Sequence, residues 1–476
     1  MKNILPIIPR EPSWRISAIP LVALAITFIL IIVFAGPLTV TDYAPLALLG
    51  CAALTIGLAL WQRSLTRRSV VVGLRRSALQ LLPAIPMLIC IAALATTWML
   101  SGVVPTLIEY GLLLLSPTWF LVTACVVCAM VSVLTGSSWS TIATIGVAFM
   151  GIGSAMGYAP GWTAGAIISG AYFGDKVSPL SDTTVIASST CGVDLFAHIR
   201  YLMITTVPAM SVTLIVFGLK GLLSGAAPLG PAVDVLSGLN EAYNISLWTL
   251  VIPVVTLSLI ACRVNTLLVL AVSALLGAVG IVVFQPQHAM GILDILRETW
   301  SGHTASTGHE MLDSLTSTGG ILGILPVVIL VSSALVFGAS MIASGMLASV
   351  AHALTNGIRR PASVIATTLG SGIVLNCITA DQYLSIIISG NMSRSMFRRC
   401  RMESRLQSRT LEDGVSVTSP LIPWNSCGIT QSTVLGVPTL VYLPYCVFNY
   451  LTPVFSLLVV SLGFKIHRAV TRPLAQ

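Results

Sequence analysis

Long apolar runs, broken at two places by polar and charged stretches, set the plan of this chain. Ile16–Gly36, Tyr43–Trp61 and Ser77–Ser101 are apolar runs in the first half, and Tyr201–Lys220, Asn265–Phe284, Ile321–Ser344 and Tyr445–Phe464 follow. A helix that crosses a bilayer takes roughly 20 such residues, so each run predicts a transmembrane helix. Strands of alternating polarity, the mark of a membrane barrel, are absent from the pattern. Ile16–Gly36 exceeds a signal-peptide core and has no small-residue cleavage motif after it, so it reads as a retained first span. The predicted fold class is an all-α polytopic membrane protein.

The interruptions recur. The first runs TGSSWS over 135–140 and returns as GDKVSPLSDTT over 174–184; the second runs NCITAD over 376–381 and returns as SPLIPWN over 419–425. Thr135 to the first Ser-Pro-Leu is 43 residues, Asn376 to the second is also 43, and the two sets are 241 apart. Such breaks predict two halves, 1–240 and 241–476, of about five transmembrane helices each. Each half would carry a re-entrant hairpin, near 117–157 and 361–393, and a broken helix, near 161–195 and 410–437. Residues 152–168 carry no charge, whereas the equivalent 393–409 carry six arginines. Basic loops stay cytoplasmic, so equivalent segments on opposite sides imply an inverted repeat. Lys2, Arg10 and Arg15 before the first span, and Arg63, Arg67, Arg68, Arg75 and Arg76 after the second, put both termini on the cytoplasmic side of the inner membrane. The segments 221–246 and 285–320 then read as the largest outer loops, the second a solvated loop with His288, His303 and His309.

Composition agrees with a membrane reading: 55% of residues are hydrophobic, 8% are charged, and mean hydropathy is +0.95. The net charge of +8 comes from arginine-rich loops and implies no nucleic-acid partner. Cys125 and Cys128 stand at CxxC spacing in an apolar run and read as small core residues.

Polar groups at membrane depth are costly and mark function. A helix that stops there exposes carbonyls and amides, which must face protein or water. Gly136 and Gly174 are expected to loosen the backbone, and Pro179, Pro420 and Pro423 to stop helices. The expected ion- or substrate-binding residues are Thr135, Ser137, Ser138, Asp175, Lys176, Ser178, Ser181, Asp182 and Thr183 in the first half, with Asn376, Thr379, Asp381, Ser419 and Asn425 in the second. Their neutral oxygens suit a hard cation, Na+ above any soft metal, and the Na+ ligands expected are Ser137, Ser138, Asp182, Thr183, Asn376, Thr379, Asp381 and Asn425. Burial favours a neutral acid and a bound cation favours its anion, so H+ and Na+ competing for Asp182 or Asp381 is a physical basis for antiport. Asp175 with Lys176 reads either as an ion pair or as part of the site. Lys176 would also suit an anionic organic substrate. Glu412 and Asp413 read as coupling groups or as caps near the inner surface, and His198 and Arg200 as the cytoplasmic end of the broken helix.

These blocks resemble the NhaC family of sodium/proton antiporters. The likeness rests on TGSSWSTIATIGVAFMGIG at 135–153, GAIISGAYFGDKVSPLSDTT at 165–184, GVDLFAHIRY at 192–201, NCITADQY at 376–383 and SRTLEDGVSVTSPLIPWNSCG at 408–428. LEDGVS at 411–416 departs from the Ser-Gly step that the family usually has there. The resemblance implies a secondary transporter, not an enzyme, that exchanges Na+ for H+ without a cofactor by alternating access. It leaves as alternatives a cation-coupled malate/lactate-like organic acid or an amino acid. The wider superfamily alone implies an elevator-like motion and a homodimer.

Overall fold

Backbone groups in lipid have no water to bond, so apolar runs satisfy them internally as helices. The computed structural model describes residues 12–36, 39–65, 67–224, 229–262, 264–288, 290–305, 313, 316–355, 358 and 360–463, and these form helices joined by short links. Lys2, Arg10, Arg263, Arg359 and 464–476, on which the side assignment of the termini leans, lie outside the described residues, as does His309. Among the described residues eight helices are long and apolar enough to cross a membrane, or up to eleven if each bent pair is one span. The protein is therefore a multi-pass α-helical membrane protein.

The chain begins with α1 (Ile19–Phe34), α2 (Val40–Trp61), α3 (Arg67–Leu100) and α4 (Val103–Leu114). A hairpin of α5 (Phe120–Thr135) and α6 (Ser138–Ala155) follows. Next come a broken helix, α7 (Pro160–Val177) and α8 (Asp182–Cys191), and the long α9 (Leu195–Leu223). α10 (Leu229–Ala242) then leads into the second half, which runs α11 (Val251–Ala261), α12 (Thr266–Phe284), α13 (Ile292–Ser301), α14 (Leu325–Ala343) and α15 (Met346–Thr355). Its hairpin is α16 (Pro361–Thr379) and α17 (Gln382–Arg399). Its broken helix is α18 (Ser404–Leu411), which enters a π turn over Glu412–Ser416, and α19 (Ser426–Leu435); α20 (Val447–Ser461) ends the described chain.

Packing sorts these helices into a frame and an inner bundle. In the frame, α12 packs on α3 and α11, α14 packs on α2 and α3, and α1 packs on α2. In the bundle, α5 packs on α7, α16 on α17, α8 on α17 and α18, and α9 on α20. The two meet where α14 touches α16 and α4 touches α6. The segments expected as outer loops contain α10 and α13. In α13, Ile292, Leu293, Leu296 and Trp300 are exposed and Ile295 is buried. Its apolar positions recur at helical spacing, a pattern masked by the polar residues around it.

Close backbone approach holds the first hairpin to its broken helix. A Cβ built on Gly170 would lie 2.0 Å from the Cys125 carbonyl oxygen, and one on Gly174 would lie 2.4 Å from that of Ala129. Gly174 is helical, so its value is contact with α5 rather than a loosened backbone. Small residues at such seams let membrane helices pack without a hydrophobic drive between them. Gly170→Ala is expected to force α5 and α7 apart and to destabilise by about 1–3 kcal/mol, the usual cost of overpacking, read as a lower midpoint of thermal unfolding in detergent.

Candidate site between the helix breaks

Each hairpin tip is a helix end met by a new N-cap. Gly136 takes φ +69° after α5, and Ala380 takes φ +54° after α16. A Cβ on Gly136 would lie 2.6 Å from Leu180, so glycine is required there both for its φ and for space. Ser137 then caps α6 by accepting from the Ser140 amide (3.2 Å), and Asp381 caps α17 by accepting from the Leu384 amide (2.7 Å).

The two halves repeat these bonds with a spacing of 244 residues. The Ser137 amide donates to Thr135 Oγ1 (3.2 Å) as the Asp381 amide does to Thr379 Oγ1 (3.3 Å). Ser132 Oγ donates to the Ala171 carbonyl (2.6 Å) as Asn376 Nδ2 does to that of Val415 (2.7 Å). Ser138 Oγ donates to Asp175 Oδ2 (2.7 Å), while in the second half Ser419 Oγ donates to Gln382 Oε1 (3.2 Å). Helices α8 and α19 both have ten residues and both end at a left-handed glycine, Gly192 and Gly436. The 241-residue spacing of the two Ser-Pro-Leu strings is thus three short of the structural one. Ser178 stands three residues before the N-cap Ser181, but Ser419 stands six before the N-cap Asn425.

Both hairpin tips and the starts of α8 and α19 converge on one cavity of about 470 Å³. Asp175, Asp182 and Asp381 line it, and among the described residues none that lines it is basic. Ser137 and Thr183 also line it. Asp175 is buried, and its second oxygen accepts from Ser181 Oγ (2.6 Å). Asp182 is exposed toward the cavity and Asp381 is half-buried.

The remaining expected residues, among them the expected Na+ ligands Ser138, Asn376, Thr379 and Asn425, do not line the cavity but brace the residues that do. Thr135 and Thr379 hold the tips, Ser138 and Ser181 hold Asp175, and Ser178 donates to the Val133 carbonyl (2.8 Å). Asn425 caps α19 and donates to the Asn376 carbonyl (3.2 Å). Ser419 holds Gln382, and the Asn376 side-chain oxygen has no hydrogen-bond partner among the described residues. The sequence reading did not assign Trp139, Gln382 or Tyr383 to the site, nor Asn265 and Ser426, yet all five line the cavity. Gln382 and Tyr383 directly follow Asp381, and a hairpin tip presents consecutive residues, which is the signal for them. Asn265 heads α12 from the frame, and nothing local marked it.

Lys176 departs from expectation. It pairs with Asp413 rather than Asp175 and does not line the cavity. Consecutive residues on a helix do not face the same way, so Asp175 and Lys176 serve different sides of α7. Asp413 also accepts from Thr205 Oγ1 (3.1 Å) and lies 3.7 Å from Arg409 Nε. Glu412 and Asp413 are fully buried, so neither is a surface cap; near the start of α9, His198 is buried and Arg200 is exposed. Trp424 stacks on Phe28 at 4.2 Å, tying the second break to the frame.

A multi-pass helical fold with broken helices around an acidic cavity is the architecture of a secondary transporter. Residues 4–222 and 170–464 match the model of the Na+/H+ antiporter family, and the chain belongs to that family. It is 38% identical to the Na+/H+ antiporter NhaC of Alkalihalophilus pseudofirmus over 78% of this chain and 79% of that one. It is 36% identical to the malate-2H+/Na+-lactate antiporter of Bacillus subtilis over 76% and 78%. It is 32% identical to the arginine/ornithine antiporter ArcD of Halobacterium salinarum over 96% and 94%.

Proposed function

We propose that this chain is a Na+/H+ antiporter of the cytoplasmic membrane, with both termini inside and the halves 1–240 and 241–476 related as an inverted repeat. The observation that carries this reading is the convergence of two tips and two breaks on one cavity with three carboxylates and, among the described residues, no basic group. Such a lining attracts a cation and repels an anion. Na+ takes oxygens from Asp175, Asp182 and Asp381, with Ser137 and Thr183 beside them. Protons displace it by neutralising the acids, and the bundle shifts against the frame between the two loaded states. The relatives named NhaC support the same exchange. The malate/lactate alternative loses its main support, because Lys176 is engaged with Asp413.

A second reading, exchange of a cationic amino acid, is favoured by the cavity's size, which exceeds that of a bare ion, and by Trp139 and Tyr383 in its wall. The arginine/ornithine antiporter relative is in keeping with it. The test uses purified protein in liposomes that hold a pH-sensitive dye, with the membrane potential clamped. A Na+ gradient alone is expected to move protons, and Asp182→Asn and Asp381→Asn each to abolish that movement. Wild-type exchange in both variants would sink the carboxylate model. Proton movement only after arginine or ornithine is added would select the second reading.

A further inference from the structure

Behind the cavity, on the other side of α7, lies a buried charge cluster that the cation site does not use. Lys176, Arg409, Glu412 and Asp413 are each at most 1% exposed. Asp413 takes both cations, and the Arg409 guanidinium also lies 4.9 Å from the centre of the Tyr201 ring. Glu412 forms an ion pair with neither cation among the described residues. The polar group beside it is the Ser416 hydroxyl on the same π turn.

Helices α8, α16, α17, α18 and α20 pack against the π turn, and α7 and α9 complete the surroundings. Of their other ionisable groups, Arg200, Arg398 and Arg399 are exposed, Lys220 lies over the Trp162 ring, Arg405 pairs with Glu403, and the rest are committed or ordinarily neutral. Asp175, Asp182 and Tyr383 line the cavity. His198 Nδ1 is bonded to Ser408 (2.8 Å), and Arg394 donates to the Thr190 carbonyl (2.5 Å). Cys191 on α8, Cys377 on α16, Tyr201 on α9 and Tyr450 on α20 are thiols and phenols. A buried carboxylate with no cation of its own is more stable with its proton on.

We propose that Glu412 is a proton-binding site separate from the cavity, loaded when the cavity holds no cation and unloaded when Na+ binds beside Asp175. The link is α7, where Asp175 faces the cavity and the next residue, Lys176, faces the cluster. Thr184 Oγ1 donates to the carbonyls of both (3.3 and 3.2 Å), tying the end of α7 to α8. A cation at Asp175 adds positive charge next to the cluster and so favours the Glu412 anion. The carboxyl O–H bond then breaks, the proton passes to water, and the carboxylate remains within reach of the Lys176 charge. By reciprocity, loss of that proton tightens cation binding.

This inference rests on the antiport reading, and the experiment separates the two. Purified protein in weakly buffered detergent receives a pulse of 22Na+, and protons released per Na+ bound are counted with a pH dye. The wild type is expected to release protons, and Glu412→Gln to bind Na+ with one fewer proton released per ion. An unchanged ratio in Glu412→Gln overturns the proposal and leaves antiport standing, whereas no release from the wild type removes both. A readout independent of the variant's folding uses wild-type protein with 13C-labelled glutamate. Na+ is expected to bleach a glutamic-acid C=O band in the infrared difference spectrum, and an unchanged band overturns the proposal.

Discussion

Asp175→Asn is expected to abolish Na+-dependent exchange and to weaken Na+ binding by on the order of 10³-fold. Asp175 is the most buried of the three cavity carboxylates, and Ser138 and Ser181 fix both of its oxygens. Two unit charges about 4 Å apart at an effective permittivity near 20 attract by roughly 4 kcal/mol, which is about three decades of affinity. Asparagine keeps the shape and accepts from one serine with its carbonyl, so folding is spared while the charge is lost. Titration calorimetry with Na+ checks this, with melting temperature as the control. Affinity near the wild type would reduce Asp175 to an acceptor that orders the first break.

Asp413→Asn acts on the fold. Asp413 is the shared counter-charge of Lys176 and Arg409, all fully buried. Removing one partner of a buried ion pair leaves the other uncompensated and typically costs about 3–5 kcal/mol. Thermal unfolding followed by tryptophan fluorescence should show a large drop in midpoint. Lys176→Met combined with Asp413→Asn should recover part of it, because fewer charges are then stranded. An unchanged midpoint in Asp413→Asn would mean that water reaches the cluster.

Much of the architecture was legible in the chain because lipid imposes long apolar helices and makes every polar break conspicuous. The tips at Gly136 and Ala380 fall inside the stretches that the polarity pattern marked. The register between the halves was harder to read. Matching the two Ser-Pro-Leu strings aligned the most similar letters, but the longer link before Asn425 shifts the structural correspondence by three. The partner of Lys176 was not legible at all, since Asp413 is 237 residues away and adjacency in sequence pointed to Asp175. Helix geometry argues against that adjacent pairing. The frame's contribution of Asn265 was hidden for a different reason. Apolar faces that meet lipid and those that meet protein look alike in sequence, so nothing showed which helix end reaches the cavity.

The 244-residue correspondence carries a consequence for charge. Asp175 matches Ser419, Asp182 matches Ser426, and Asp381 matches Ser137. Every acid of the cavity has a hydroxyl as its counterpart in the other half. Ser137 and Ser426 line the same 470 Å³ space, so acids at those two positions would crowd five carboxylates into it, and their mutual repulsion would hold protons there and shut cations out. At the tips and breaks the same backbone arrangement recurs while the charge is split, so these two sets of segments resemble each other in shape and complement each other in chemistry.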